Sequence, residues 1–104
     1  MLSHQIRDAE NRAQAAICKI ANKCLPHASL VLFGSRARGD ARRRSDFDLA
    51  IVPGVGFNDG ELFEFSEQLD RSSDIIYPID IVDMRNASNE LKAKVEMEGR
   101  TWKN

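Results

Sequence analysis

The sequence predicts an α/β (α+β) fold in which a small mixed β-sheet is flanked by helices. Amphipathic segments with a helical repeat alternate with three short apolar runs that have the length and composition of strands. The predicted order, α-β-β-α-β-α, is typical of one sheet layered with helices. A chain of 104 residues has room for one core. We therefore expect a single domain over residues 1–104.

The first half of the chain predicts a helix and two strands. Apolar residues recur every three or four positions from Ser3 to Cys24, where Ser3 can cap the helix and Pro26 ends it. Ala28 to Phe33 predicts a strand buried on both faces. The segment from Asp46 to Val52 begins with alternating polar and apolar residues, which indicates a second strand.

The second half predicts two more helices and a third strand. Asn58 or Asp59 can cap a helix that runs toward residue 73, and residues 77–84 predict the strand. Residues 88–98 predict the last helix, which we expect Gly99 to end in a left-handed conformation. Residues 100–104 are then a short tail.

Composition and charge restrict the function classes. Lys and Arg together number 15 against 16 for Asp and Glu, so no overall positive field exists to bind nucleic acid. Every apolar run is far shorter than the roughly 20 residues of a membrane span, and the first residues lack the apolar core of a secretory signal. We expect a cytoplasmic protein with no membrane contact and no direct nucleic-acid contact.

Three aspartates in the second and third predicted strands are candidates for a carboxylate cluster. Asp46 and Asp48 project from the same face of a strand, about 6.5 to 7 Å apart at the backbone. Asp80 joins them if the third strand neighbours the second. Clustered carboxylates repel one another without a cation, and oxygen ligands suit Mg²⁺ or Mn²⁺. Two such ions can activate an attacking oxygen and stabilise a leaving one, so a nucleoside triphosphate is the natural substrate.

A glycine-serine pair between the first two strands is a candidate phosphate site. Gly34 lets a phosphate approach the backbone, and Ser35 offers a hydroxyl and an N–H group at the start of a helical turn. The following segment is basic, with Arg36, Arg38, Arg42, Arg43 and Arg44. We expect Arg36 and Arg38 to contact the triphosphate, although the sequence leaves open which of the five do so.

Taken alone, an Asp-x-Asp pair at a strand edge is usually a solvated face. Its combination with a strand, a Gly-Ser turn and an intervening polar segment is much more specific. The segment GSRARGDARRRSDFDLAI resembles the signature of the polymerase-beta-like nucleotidyltransferase superfamily, especially its minimal (MNT) members in prokaryotes. The resemblance implies that family's fold, with Gly34 and Ser35 as the phosphate-binding pair.

The resemblance also implies roles for the aspartates. Asp46 and Asp48 match the first two metal ligands and would bind two Mg²⁺ ions together with ATP. Asp80 matches the third carboxylate, which helps to deprotonate the acceptor hydroxyl for attack on the α-phosphorus, and Asp83 is the competing choice. Pyrophosphate would leave with magnesium.

Resemblance to MNT antitoxins implies a partner, because larger members of the superfamily append acceptor-binding domains and this chain ends soon after the third carboxylate. The partner would be a HEPN-type helical protein, a toxin or a substrate-binding protein, with a tyrosine as the expected AMP acceptor. One alternative is a non-catalytic module that neutralises the toxin by contact, and another is a small-molecule (aminoglycoside-type) nucleotidyltransferase. The acceptor, the base specificity, the number of AMP units and the homo- or hetero-oligomeric state stay open.

Overall fold

The computed structural model describes residues 2–42 and 45–104, with side chains from residue 7 onward. The elements are α1 (Leu2–Cys24), β1 (Ala28–Phe33), α2 (Ser35–Arg38), β2 (Phe47–Pro53), α3 (Asp59–Arg71), β3 (Ile79–Asp83), the 3₁₀ turn η1 (Met84–Asn86), α4 (Asn89–Glu98) and β4 (Arg100–Lys103). They fall into two compact units. One comprises the residues up to 26 with 58–76, and the other comprises 27–57 with 77–104.

The first unit contains the two longest helices, α1 and α3, which contact each other. Ala13, Ile17 and Ala21 are buried along α1, as its helical repeat predicts. The side chain of Asn58 accepts a hydrogen bond from the Glu61 N–H group and so caps α3. No helix among the described residues is long and apolar enough to cross a membrane.

The second unit is built on a four-stranded sheet in the order β3-β2-β1-β4. β1 pairs antiparallel with both β2 and β4, whereas β2 pairs parallel with β3. The predicted α/β (α+β) class with a mixed sheet is therefore confirmed. The prediction of one domain over residues 1–104 stays a prediction. The division into two units reflects contacts inside each unit and does not test whether the two fold as one domain.

One face of the sheet carries a core that includes α4. Phe33, Ala50 and Val95 are buried there, with Val31, Val82, Met84 and Leu91 packed against them. Side chains alternate between the two faces of a strand, so Asp48 shares this face with Ala50, and Asp80 shares it with Val82. Both carboxylates therefore lie on the α4 side of the sheet, next to its apolar core.

Several predicted boundaries are wrong. Residues 100–104 are not a tail, because Arg100–Lys103 forms the strand that pairs with the outer edge of β1. β3 begins at Ile79, after Pro78, which lacks an N–H group to donate to a neighbouring strand. α1 begins at Leu2, so Ser3 lies inside its first turn.

Gly99 ends α4, but not by a left-handed conformation, since its φ is −68°. A Cβ atom added at Gly99 would meet the Val95 carbonyl oxygen and would lie 2.6 Å from Cγ1 of Val31. A glycine therefore suits this position because α4 and β1 approach each other closely where the chain turns into β4.

This close approach gives a first prediction. Gly99→Ala should lower the free energy of unfolding by about 1–3 kcal/mol, because an extra methyl group must displace backbone or Val31. Chemical denaturation of the variant and the wild type measures the difference. Met97→Ala is the control, since that side chain is 88% exposed. A Gly99→Ala chain as stable as the wild type would contradict the packing argument.

Candidate nucleotide and metal site

The candidate phosphate turn lies directly after β1. Gly34 has φ 78° and ψ −158°, a region of backbone conformation that is essentially restricted to glycine. A Cβ atom added at Gly34 would also collide with the carboxylate of Asp48. α2 begins at Ser35, as predicted, and Gly34 provides no side-chain cap for its first turn. Backbone conformation and close approach to Asp48 both require a glycine here.

Strand pairing brings the predicted carboxylates together. Asp48 is the register partner of Asp80 across the parallel β2 and β3 pair, where neighbouring strands lie about 4.7–4.9 Å apart. Asp46 immediately precedes β2 and is exposed, as is Asp80, whereas Asp48 is half-buried. The structure therefore places Asp48 against the phosphate turn, with Asp80 beside it on β3 and Asp46 just before the same strand.

The electrostatics of Asp48 reflect this crowding. Burial raises the pKa of Asp48, and the negative charges of Asp80 and Asp46 raise it further. Lys94 and Arg38 act in the opposite direction, but the net pKa shift is upward. The three carboxylates are therefore close enough to repel one another, as the sequence predicts for a cluster without a cation.

Asp83, the competing third carboxylate, lies on the opposite face of β3 from Asp80. Its carboxylate accepts hydrogen bonds from the backbone N–H and the guanidinium of Arg85. Those bonds, the guanidinium ones first, hold the pKa of Asp83 below its ordinary value despite some burial. Asp83 thus serves as the cap of η1, which leaves Asp80 as the carboxylate placed beside Asp48.

The donor chemistry of the cluster fits a hard divalent cation. Asp46, Asp48 and Asp80 supply only oxygen atoms, and a cation would relieve the mutual repulsion that adds to burial in raising the pKa of Asp48. Within residues 2–42 and 45–104, however, no three side chains of the His, Cys, Asp or Glu type are arranged to hold a metal ion. The protein thus presents carboxylates of the right chemistry without a complete set of ligands.

Arg36, predicted to contact the triphosphate, is engaged inside the protein. Its Nε and Nη2 atoms donate to the Ser45 carbonyl oxygen at 2.9 and 2.7 Å. The guanidinium lies 4.3 Å from the ring centroid of Phe47 and 4.7 Å from that of Tyr77. Arg36 therefore contacts both the segment that precedes β2 and the segment that precedes β3. These are the strands that contain Asp48 and Asp80.

The remaining arginines of the basic segment have different environments. Arg38 forms ion pairs with Asp40 and Glu98. The backbone N–H of Arg42 donates to the Ser45 hydroxyl, and the Arg42 side chain is exposed. Arg43 and Arg44 lie outside the described residues. Of the two arginines predicted to contact phosphate, Arg38 is thus the one that lies beside the Gly34 turn.

Glu98 is a part of the site that the sequence analysis misses. Its carboxylate accepts a hydrogen bond from the Gly34 N–H group at 3.0 Å and from Nη1 of Arg38 at 3.0 and 3.3 Å. A signal was available, because Glu98 follows Leu91 and Val95 on the apolar stripe of α4. A carboxylate on a buried stripe needs partners, and here they belong to the phosphate turn.

The fold and the site together match a known family. The Polymerase beta, Nucleotidyltransferase family matches residues 16–102, and this chain belongs to it. The superfamily resemblance drawn from the Gly-Ser and Asp-x-Asp motifs is thereby confirmed. Family membership does not by itself test the role of any single residue, so the site assignments stay predictions.

Relatives are found among curated proteins and solved structures. The chain is 31% identical over 85 residues to protein adenylyltransferase MntA of Shewanella oneidensis, spanning 81% of this chain and 60% of that protein. A crystal structure of a toxin-antitoxin with AMP-PNP is 28% identical with a TM-score of 0.68, covering 86% of this chain and 71% of that one. A structure described as a minimal nucleotidyltransferase is 26% identical with a TM-score of 0.64, covering 91% and 93%.

The Arg36 contacts give a second prediction. Arg36→Lys should lower the free energy of unfolding by about 1–3 kcal/mol, because an ammonium cannot reproduce both hydrogen bonds to the Ser45 carbonyl oxygen together with the contacts to the two rings. Thermal and chemical unfolding measure the change. Arg71→Lys is a matched control, since the Arg71 side chain is 72% exposed and pairs with Glu67 on the surface. Equal losses of stability in the two variants would contradict the role of Arg36 in holding together the segments that precede β2 and β3.

The crowding at Asp48 gives a third prediction. The pKa of Asp48 is raised in the folded chain, so the folded state binds this proton more tightly than the unfolded state does. The contribution of Asp48 to the free energy of unfolding is therefore greatest below its unfolded-state pKa, near 3.9. That contribution is lost as the pH rises through the folded-state pKa. In a chelator, Asp48→Asn should therefore raise Tm by a few degrees at pH 7, and the gain should shrink toward pH 4.

Circular dichroism melts at both pH values measure this effect. Glu96→Gln, at an exposed carboxylate on α4, controls for the loss of a surface charge. A lower Tm for Asp48→Asn at pH 7 would show that the ionised carboxylate stabilises the metal-free fold instead.

Proposed function

We propose that this chain transfers AMP from ATP to a hydroxyl of a partner protein in a magnesium-dependent reaction. The observation that carries the proposal is the register of β2, which sets Asp48 beside Asp80 of β3 and, through its pairing with β1, next to the Gly34 turn. Carboxylates next to a backbone turn that phosphate can approach are the parts that nucleotidyl transfer needs. Membership of the nucleotidyltransferase family and the likeness to adenylyltransferase MntA support it.

The turn and its neighbours would bind the triphosphate. Gly34 has no side chain to block the approach of the terminal phosphates, and Ser35 offers its hydroxyl and N–H at the start of α2. Arg38 adds a guanidinium near the Gly34 turn, where it donates a hydrogen bond to the Glu98 carboxylate. Arg36 contributes indirectly in this account, by fixing the segments that enter β2 and β3.

Asp46, Asp48 and Asp80 are the residues that would hold Mg²⁺ or Mn²⁺. Bound Mg²⁺ supplies positive charge to the phosphates and favours ionisation of the acceptor hydroxyl. Asp80 is exposed, so it can receive the proton of an incoming hydroxyl. The hydroxyl oxygen then bonds to the α-phosphorus, the bond to the bridging oxygen of the β-phosphate breaks, and pyrophosphate leaves.

The position of Asp80 supports an acceptor on a separate protein. β3 is an outer strand of the sheet, so a side chain of another molecule can reach Asp80 without entering the interior. A HEPN-type helical partner, with a tyrosine hydroxyl as acceptor, fits this open approach. The chain would then act as the antitoxin of a toxin-antitoxin pair, the setting of the similar complex that contains AMP-PNP.

A second candidate is neutralisation of the partner by contact alone. One observation favours it, namely that no described His, Cys, Asp or Glu side chains form a ready metal-binding group. In that case the carboxylates would have no part in the effect on the partner.

Intact-mass analysis of a co-purified HEPN-type partner, incubated with this chain, ATP and Mg²⁺, tests the proposal. The expected result is a mass increment of one or more AMP units. The double variant Asp46→Asn and Asp48→Asn should reduce the rate of AMP transfer by more than about 100-fold. Loss of a residue that only supports a metal ligand costs roughly 10- to 100-fold, and these two residues would bind the metal directly. Asp70→Asn, at an exposed carboxylate on α3, should behave as the wild type.

The outcomes separate the two candidates. A partner that stays unmodified with the wild-type chain but binds it, and binds the double variant equally, favours neutralisation by contact. An adduct that forms at an undiminished rate with the double variant would show that these carboxylates do not carry the transfer.

A further inference from the structure

The carboxylate of Glu98 joins three separate parts of the sheet unit. It lies at the last residue of α4, accepts the Gly34 N–H group just after β1, and pairs with Arg38 at the end of α2. Its side chain is 16% exposed, so water competes little for these bonds. Burial pushes the pKa of Glu98 up, but the hydrogen bonds from Arg38 and Gly34 lower it overall, so the group is ionised at neutral pH.

The bond to Gly34 fixes the orientation of one peptide unit. Gly34 is free of side-chain restraint and adopts a conformation that other residues avoid, so its backbone needs an external partner to select one arrangement. Glu98 accepts its N–H group, while the Asp48 carboxylate lies against its Cα. That N–H group belongs to the Phe33–Gly34 peptide unit, and from it the Gly34 dihedral angles set the direction in which Ser35 presents its N–H and hydroxyl.

The ion pair between Glu98 and Arg38 holds the positively charged guanidinium of Arg38 in one position. An arginine side chain has several rotatable bonds, and ordering it in solvent costs free energy that a bound phosphate would have to offset. Two contacts from Glu98 to Nη1, and one from Asp40 to Nε, hold the guanidinium near the turn before any ligand arrives. Nη2 takes part in none of these contacts, so its two N–H groups can serve another acceptor.

We propose that Glu98 is a positioning residue for triphosphate binding, which orders both the Gly34 turn and the Arg38 guanidinium. The inference rests on the proposed function for its ligand, a nucleoside triphosphate. Glu98 itself does not touch the substrate in this account. Its loss should therefore weaken binding of the terminal phosphates while changing the transfer step much less.

Two substitutions separate the two contacts. Glu98→Gln keeps a carbonyl oxygen that can accept the Gly34 N–H group but loses the charge that holds Arg38. Glu98→Ala loses both contacts. We expect the dissociation constant of a non-hydrolysable ATP analogue to rise about threefold for the first variant and roughly tenfold for the second.

The test is equilibrium binding of the analogue and of AMP in Mg²⁺, with thermal unfolding of each variant as a check on folding. AMP lacks the terminal phosphates, so its affinity should change less than twofold. In the transfer assay, KM for ATP should rise with the dissociation constant while kcat at saturating ATP stays within about threefold. Glu96→Gln, on the exposed side of the same helix, should match the wild type in every measurement.

Other outcomes overturn the inference. Unchanged analogue binding in both Glu98 variants would show that the contacts do not prepare the turn, and tighter binding would show that Glu98 competes with phosphate. Equal losses for the analogue and AMP, or a fall in kcat alone, would also contradict it. A wild-type chain that binds the analogue in a Glu98-dependent way but transfers no AMP would sink the proposed function and leave this inference standing. A wild-type chain that does not bind the analogue would overturn both.

Discussion

The parallel pairing of β2 with β3 is the constraint on which the site depends. It makes Asp48 and Asp80 direct neighbours, and the following pair, Ala50 and Val82, lies in the apolar core beneath α4. A slip of one residue would move Asp80 to the other face of the sheet and would also place polar groups in that core. The residues that fold the sheet therefore also fix the distance between the carboxylates.

Charge balance around this pair comes largely from α4 and α2. Lys94 and Arg38 partly compensate the negative charge at Asp48, while Glu98 pairs with Arg38 and accepts the Gly34 N–H group. One turn of α4 thus carries both a positive and a negative group toward the same small region. Burial and the neighbouring carboxylates both raise the pKa of Asp48, and a bound cation would compensate the negative charge of these carboxylates.

The sequence predicts much of this architecture where the signals are local. The bounds of β1 and the cap at Asn58 follow from short-range patterns, since capping and apolar runs act over a few residues. The shared face of Asp48 and Asp80 is predicted only on the condition that β3 neighbours β2, which no local pattern fixes. β4 was missed because an edge strand of four residues is stabilised by its partner β1, and its own pattern is too short to indicate it.

Side-chain surroundings that the sequence does not predict share the same cause. Arg36 is predicted to contact the triphosphate, which stays a prediction, and its contacts with the rings of Phe47 and Tyr77 join segments that no local pattern connects. Glu98 is separated from Gly34 by 64 positions, so no local pattern connects them. Gly99 has the residue type of a left-handed cap, but the proximity of Val31 explains it.

We propose that the aspartates and the triphosphate together complete a metal site that the side chains of the described residues leave incomplete by themselves. Calorimetric titration with a non-hydrolysable ATP analogue, in Mg²⁺ and in a chelator, tests it most directly with the wild type and with Asp48→Asn combined with Asp80→Asn. We expect tight binding only when both Mg²⁺ and the two carboxylates are present. Equal affinity in the chelator, or equal affinity in the double variant, would contradict it.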